Sequence, residues 1–433
     1  MNELAVPSFA GSVRAAAARG EVVVQPRMGF GAPDRMHAGL LATRAARATT
    51  VGTITLDSYT RVGDLAALRR AAADGVDLNG YPIVTTDRAV TAAMLADVRT
   101  GGFPVQVRHG SAAPELIVDA LADLAVDATE GGPVSYCLPY GRVPLNKSVH
   151  SWATATHRFA SLADRGLTPH LESFGGCLLG QLCPPALLVA MTVLEGMFFR
   201  QHGIRSVSLS LAQQTSQVQD LEALRALHLA ADRYLSDVDR HVVLYAYMGM
   251  YPRTPGGAGG LLADAVRLAV RGGAARLIVK TEAEAYRIPT VAENVAALEH
   301  AAAVAADTRP WTAPVPDTGL YTQAVALIER VLDLDDDLGK ALIGAFAAGY
   351  LDVPYCLHAD NAGRARSHVD DEGWLRWSSV GAMPIEPDGT PGHGPVRSAD
   401  LLAALSYTQR RYDESEESCG ELAGRRAPAL RPA

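Results

Sequence analysis

Three arginines stand at the ends of short apolar runs: Arg27 in EVVVQPR, Arg61 in TVGTITLDSYTR and Arg108 in FPVQVRHG. Each run is β-branched and followed by turn-prone residues, which predicts a strand ending in its arginine. Any one of the three alone reads most simply as a surface or salt-bridged side chain. As strand ends of one parallel barrel, they would converge at the carboxyl end, where such barrels place their sites. Guanidiniums gathered in a dry pocket repel one another unless an anion lies between them, and their planar forks match carboxylates. The pattern predicts a small ligand with two carboxylates.

Other chemistry-bearing residues lie close by in the chain. His109 and Gly110 follow Arg108; the glycine permits a sharp turn, and the imidazole can donate to an anion or move a proton near neutral pH. TEGGPVSYCLPY carries Glu130, Tyr136 and Tyr140. Read as a strand, VSYCLPY puts both tyrosines on one face, either filling the barrel or touching a ligand. Glu130, in a glycine-rich loop beside an anion site, suits a substrate ammonium group, so the ligand reads as an amino acid with a second carboxylate. Lys280 and Glu284 have the spacing of an ordinary helical ion pair, or could grip the hydroxyls of a ribose. His358, Asp360, His368 and Asp370 match no tight zinc spacing. PRTPGGAGG lacks the Lys-Ser/Thr of a nucleotide-binding loop.

The elements that must position these residues alternate. Further strand-like runs are VSYCLPY, HLESFG, RSVSLSL, HVVLYAYM and RLIVKT, with YPIVTT from Tyr81 as a strand or an irregular segment. Ala/Leu-rich helical stretches lie between most of them, several ending at glycine. Strand–helix alternation in this length predicts an α/β chain, a (β/α)8 TIM barrel over 1–312. A smaller α+β appendage is expected over 313–412, with two helices and a hairpin element at WLRWSSVGAMPI. Residues 413–433 read as a disordered tail. The net charge of −8 argues against a nucleic-acid partner. No run reaches the roughly 20 apolar residues of a membrane helix, and the N-terminus lacks a signal-peptide layout. Five cysteines without a CxxC pair read as reduced thiols of a cytoplasmic protein.

In order, QPRMGFG, TITLDSYTR, LNGYP, VQVRHG, EGGPVSYCLPY, HLESFG, QLCPP, YMGMYP and LIVKTEAEAYRIPT resemble the motifs of the large (epsilon) subunit of adenosylcobalamin-dependent glutamate mutase. The resemblance runs from about Gln25 to Ile385 and includes NAG at Asn361 to Gly363. It implies a barrel enzyme, an isomerase that interconverts L-glutamate and (2S,3S)-3-methylaspartate. It further implies a three-arginine clamp at Arg27, Arg61 and Arg108, other substrate contacts at His109, Glu130, Tyr136 and Tyr140, and Glu130 as the group polarising the substrate ammonium. Gly29, Asn79, Pro139, Tyr251, Lys280, Glu284 and Ile288 fall at the family's cofactor-contacting positions. Departures from the family pattern are Tyr251 for phenylalanine, Arg142 for lysine and ESFG for EPFG around Glu172. The short stretch before the first strand predicts some loss of packing at the barrel base.

In that family the adenosyl radical abstracts hydrogen, and the substrate radical separates into a glycyl radical and acrylate that recombine. Asp-x-His-x-x-Gly, the cobalt-ligating motif, is absent; DRHVV at Asp239 lacks its spacing and falls on a strand. The resemblance therefore implies a separate small cobalamin-binding (sigma) subunit, and a homodimer of this chain within a heterotetramer. Alternatives are a related cobalamin mutase for another amino dicarboxylate, a non-catalytic glutamate-binding barrel, and a lyase using Lys280 as a Schiff base.

Overall fold

Eight parallel strands frame the computed structural model, which describes residues 8–139, 141–178, 182–387 and 397–414. They are β1 (Val23–Gln25), β2 (Gly52–Thr55), β3 (Val105–Arg108), β4 (Ala128–Gly131), β5 (His170–Ser173), β6 (Ser206–Ala212), β7 (Asp239–Tyr245) and β8 (Arg276–Ile278). The strands pair in sequence order, and β8 returns to β1 with Val23 opposite Arg276. Between β1 and β2 the ring closes through one parallel bridge, Val24 to Thr50. The strands from β3 to β6 are buried along their whole length, as helices on the outside and side chains on the inside require. This is the (β/α)8 barrel expected from the alternation.

The barrel interior departs from the usual apolar filling. Gln25 Nε2 donates to Thr53 Oγ1 and to Gln106 Oε1, each at 2.8 Å. Arg276 donates to Gln25 Oε1 at 2.5 Å, to Ser208 Oγ at 3.1 Å and to Glu172. Such a polar layer is tolerable only when its members satisfy one another. At the barrel base the helix Phe9–Ala18 buries Phe9, Val13 and Ala16 against Val23, Val51 and Ala128. Packing at that end is therefore supplied by this short amino-terminal helix.

Two local expectations are corrected, and two segments left open by the sequence take a definite form. Residues 133–139 form turns, and the fourth strand is ATEG just before them; Glu130 thus sits on a strand, not in a loop. Arg61 lies on the helix Ser58–Val62, after β2 has ended at Thr55, because Asp57 caps the N–H groups of Tyr59 and Thr60 and starts a helical turn there. The YPIVTT segment contributes only a single bridge, Leu56 to Tyr81. PRTPGGAGG opens the helix Pro255–Arg271, with Thr254 accepting from Gly257 N–H as its cap.

Beyond the barrel lie the helices Leu320–Leu332 and Leu338–Ala348 and an antiparallel pair, β9 (Arg366–Val369) and β10 (Leu375–Ser379). Gln219 joins the hairpin to the barrel, exchanging two 2.9 Å bonds with the Leu375 backbone. Asp413, in a helical segment at 407–414, accepts from Arg253 N–H and Thr254 N–H at 3.0 Å. No described helix is long and apolar enough to cross a membrane.

Candidate functional site

The residues facing the carboxyl ends of the strands form a connected charge network. Arg108, the last residue of β3, donates through Nε to Glu130 Oε2 at 2.7 Å, and both side chains are buried. Tyr136 donates to the other Glu130 oxygen. Tyr245, ending β7, lies 2.7 Å from Glu130 Oε2, also reaches Glu172, and accepts from Arg108 Nη2 at 3.2 Å. Burial works against the Arg108 charge, but Glu130 and the two tyrosines outweigh it and hold the guanidinium well above its ordinary pKa. Glu172 shows the same balance: burial pushes its carboxyl up, while Arg276 and Arg108 overcome that and hold it below the usual value.

Arg61 and His109 meet on the neighbouring side. Arg61 Nε donates to the His109 carbonyl at 3.2 Å. Gly110 has φ +73° and its position faces the Arg61 side chain, where a Cβ would stand 3.1 Å from Nε; glycine is needed there for both reasons. His109 Nδ1 accepts from Ser111 N–H at 3.0 Å, and its ring stacks on Trp152. The accepted bond leaves the ring proton on Nε2, which is buried with no protein partner. Burial first, then Arg61, push the imidazole down to about 3. His109 is thus a neutral donor held ready beside the arginines.

Arg27, two residues past β1, is 3.9 Å from Glu284, and Lys280 is 3.7 Å from the same carboxylate. Lys280 also lies 5.2 Å from the Tyr251 ring centroid. Burial, reinforced by Arg27, lowers the Lys280 ammonium to about 8. Tyr251 keeps a buried hydroxyl with no hydrogen-bond partner. Asn79 accepts from Ser58 N–H at 3.0 Å, Pro139 lines a cavity of about 650 Å³ with Arg142 and His358, and Ile288 is exposed. Gly29 packs so closely on β2 that a Cβ would stand 2.3 Å from the Thr55 carbonyl. Tyr140 lies outside the described residues.

All three arginines therefore face the same end of adjacent strands, each with its own partner: Glu284, the His109 carbonyl and Glu130. Sequence reasoning missed Tyr245, Glu172 and Arg276 as site-linked residues. The available signal was a charged residue within a strand that must be buried on both faces, which demands a partner. His358 and Asp360, from the superficially metal-like segment, hold backbone instead: His358 Nε2 lies 3.0 Å from the Val143 carbonyl, and Asp360 accepts from Leu145 N–H at 2.7 Å.

Comparison with known proteins points the same way. Residues 6–393 match the family described as methylaspartate mutase E chain. The chain is 32% identical over 387 residues to the glutamate mutase epsilon subunit of Halobacterium salinarum, covering 86% of this chain and 80% of that one. It is 30% identical over 395 residues to the protein of the same name from Desulfitobacterium hafniense, covering 86% and 80%. With the similarly named protein of Escherichia coli O157:H7 it shares 28% over 387 residues, covering 85% and 79%. With the family matched over 6–393 and a relative 32% identical across most of both chains, the chain belongs to the methylaspartate mutase E chain family.

Proposed function

We propose that this chain is the large subunit of an adenosylcobalamin-dependent glutamate mutase that interconverts L-glutamate and (2S,3S)-3-methylaspartate. The observation that carries this reading is the buried Arg108–Glu130 pair at one end of an array continued by Arg61 and Arg27. Glu130 fits a substrate ammonium and Arg108 a carboxylate, so a zwitterion can replace their mutual pairing with one opposite charge for each. Arg61 and Arg27 provide for the second carboxylate, and Nε2 of His109 supplies a further donor. Three arginine forks keep both halves of a divided carbon skeleton in place. Tyr136 and Trp152, both buried, exclude water from it.

The chain's residues also fit the cofactor. When bound, adenosylcobalamin supplies the radical that starts the rearrangement. Lys280 and Glu284 offer a paired donor and acceptor for ribose hydroxyls, and Asn79, Pro139, Tyr251 and Ile288 surround the same mouth. The orphaned Tyr251 hydroxyl supports a polar ligand there; Gly29 is explained by its contact with Thr55 and adds no support of its own. The sequence carries no Asp-x-His-x-x-Gly, which supports assigning cobalt ligation to a small cobalamin-binding subunit. Val62, ending the helix Ser58–Val62, and the loop residues Tyr286, Ile288 and Leu357 are exposed, which suits a docking face for that subunit in a heterotetramer of two large and two small chains.

The test is an NMR assay of this chain with its candidate small subunit, adenosylcobalamin and L-glutamate. Methylaspartate should appear, and should be lost on omitting either protein or on Arg108→Lys, because an ammonium cannot make the bidentate contact. An assembled, cofactor-loaded complex that leaves glutamate unchanged would refute the glutamate assignment.

A further inference from the structure

The loop after β4 carries Tyr136 and Pro139, yet its backbone is not seated by the sheet. Its first N–H groups are held by one carboxylate. Glu195, on the helix Pro185–Gln201, is completely buried. Its Oε1 accepts from Val134 N–H at 3.1 Å and Ser135 N–H at 2.8 Å. Its Oε2 accepts from Ser135 Oγ at 2.9 Å and Ser173 Oγ at 3.1 Å. Gly132 makes the approach possible, since a Cβ there would stand 2.0 Å from Glu195 Oε1.

The donors come from two strand ends that both lead into the proposed site. Val134 and Ser135 immediately precede Tyr136, whose hydroxyl donates to Glu130. Ser173 follows Glu172, the carboxylate reached by Tyr245. The Ser173 hydroxyl already accepts from Gly175 N–H at 3.2 Å and from Thr192 Oγ1 at 3.1 Å, so its own proton is committed to Glu195. The carboxyl is held up to about 7, chiefly by burial, with the four donors opposing. A buried carboxylate with four donors and no cation in reach among the described residues is costly to maintain for packing alone.

We propose that Glu195 is a positioning residue of the active site, fixing the loop that presents Tyr136 to Glu130 and Pro139 to the cofactor side of the mouth. The proposal rests on the mutase reading. Glu195→Gln keeps the Oε1 acceptor for both backbone donors, whereas Glu195→Leu removes all four bonds.

The experiment compares both variants with the wild-type full chain, assembled with the small subunit and cofactor, by glutamate KM and kcat and by hydrogen exchange at Val134 and Ser135. Glu195→Leu should speed exchange at those two amides and raise the KM about tenfold, as part of the cost of the four lost hydrogen bonds reaches substrate binding. Glu195→Gln should stay within about threefold of wild type on the same scale. Amides freed in Glu195→Leu with an unchanged KM overturn the proposal, as does Glu195→Gln behaving like Glu195→Leu. If Glu195→Leu does not fold, Ser135→Ala, which removes one bond and leaves the carboxylate, decides: a KM about threefold higher supports it, an unchanged KM overturns it. Turnover by wild type judges the mutase reading separately, since only variant-to-wild-type ratios bear on Glu195.

Discussion

Glu130 and Glu172 occupy directly paired positions on β4 and β5, so two buried carboxylates stand side by side in the barrel. Arg108 neutralises one and Arg276 the other. The Tyr245 hydroxyl reaches both, but it has a single proton to donate. It therefore couples the outer pair, which a substrate would reorganise, to the inner pair, which belongs to the barrel.

Removing that hydroxyl should be felt in both places. Tyr245→Phe leaves the two carboxylates adjacent with one donor fewer, and should lower stability by about 1–3 kcal/mol. The glutamate KM should rise as well, because Glu130 loses one of the groups that orient it. Urea unfolding and steady-state kinetics on the assembled complex check the two effects. A Tyr245→Phe protein with wild-type stability and KM would show that the hydroxyl links nothing.

Lys280 offers a pH-dependent reading of the proposed ribose grip. Burial and Arg27 lower its pKa to about 8, so the ammonium fraction falls as pH rises through that value. Cofactor affinity of the assembled complex should weaken above about pH 8. Lys280→Arg stays charged throughout and should flatten the profile, while Lys280→Met should weaken affinity about tenfold at pH 7 through loss of a charged hydrogen bond. Equilibrium titration of the cofactor decides. An affinity unaffected by Lys280→Met would remove Lys280 from the cofactor site.

How much of this could be read from the chain depends on where each residue's partner lies. The strand at FPVQVRHG was legible because its run, its arginine and the glycine after it are all local. The fourth strand was not. ATEG has little β-branched or apolar content, whereas VSYCLPY next to it has plenty. What prevents VSYCLPY from pairing is remote in sequence: Glu195 takes the N–H groups of Val134 and Ser135. Arg61 reads as a strand end because the β-branched run before it is local, whereas the helical turn capped by Asp57 appears only in the structure. The Arg276–Glu172 pair spans 104 residues and becomes visible only once the strand order brings β5 and β8 into one ring. Ser173 likewise gains a role only when Glu195 is placed opposite it.

Acid should unfold the protein in two regimes. His109 and His170 are pushed down to about 3, and His241 also falls well below its ordinary value, burial being the first cause in each. Below about pH 6.5 the unfolded chain takes up protons at these positions that the folded chain refuses, so stability is lost as pH falls. Glu195 and Asp220 act oppositely: burial raises them to about 7 and about 8, so the folded chain holds protons there that the unfolded chain has released. The terms nearly offset between about pH 6.5 and 4.5. Below that the unfolded carboxylates protonate too, and the histidines act unopposed at up to about 4 kcal/mol per pH unit for three protons. Urea midpoints measured from pH 7 to pH 3.5 should therefore change little at first and then drop steeply. A uniform slope across the range would contradict the assignment of opposing groups.

Arg276 and Glu172 are both fully buried and joined by a short ion pair, with Gln106 and Ser208 donating to the same Glu172 oxygen at 3.2 Å. An ion pair so placed reveals little about net stability, because desolvation opposes the attraction between the partners. Breaking it is a different matter. Arg276→Met leaves Glu172 charged or forces it to bind a proton, and should cost about 3–5 kcal/mol. Combining it with Glu172→Gln removes the stranded charge, so the double variant should be less destabilised than the sum of the single ones, by about 1–3 kcal/mol of coupling. Tyr245 also contacts Glu172, so the Arg276→Met change should reach glutamate turnover even though Arg276 sits deeper in the barrel than Glu130. Additive single effects in urea unfolding would mean that the two side chains are neighbours without being partners. The inner pair would then be irrelevant to the site above it.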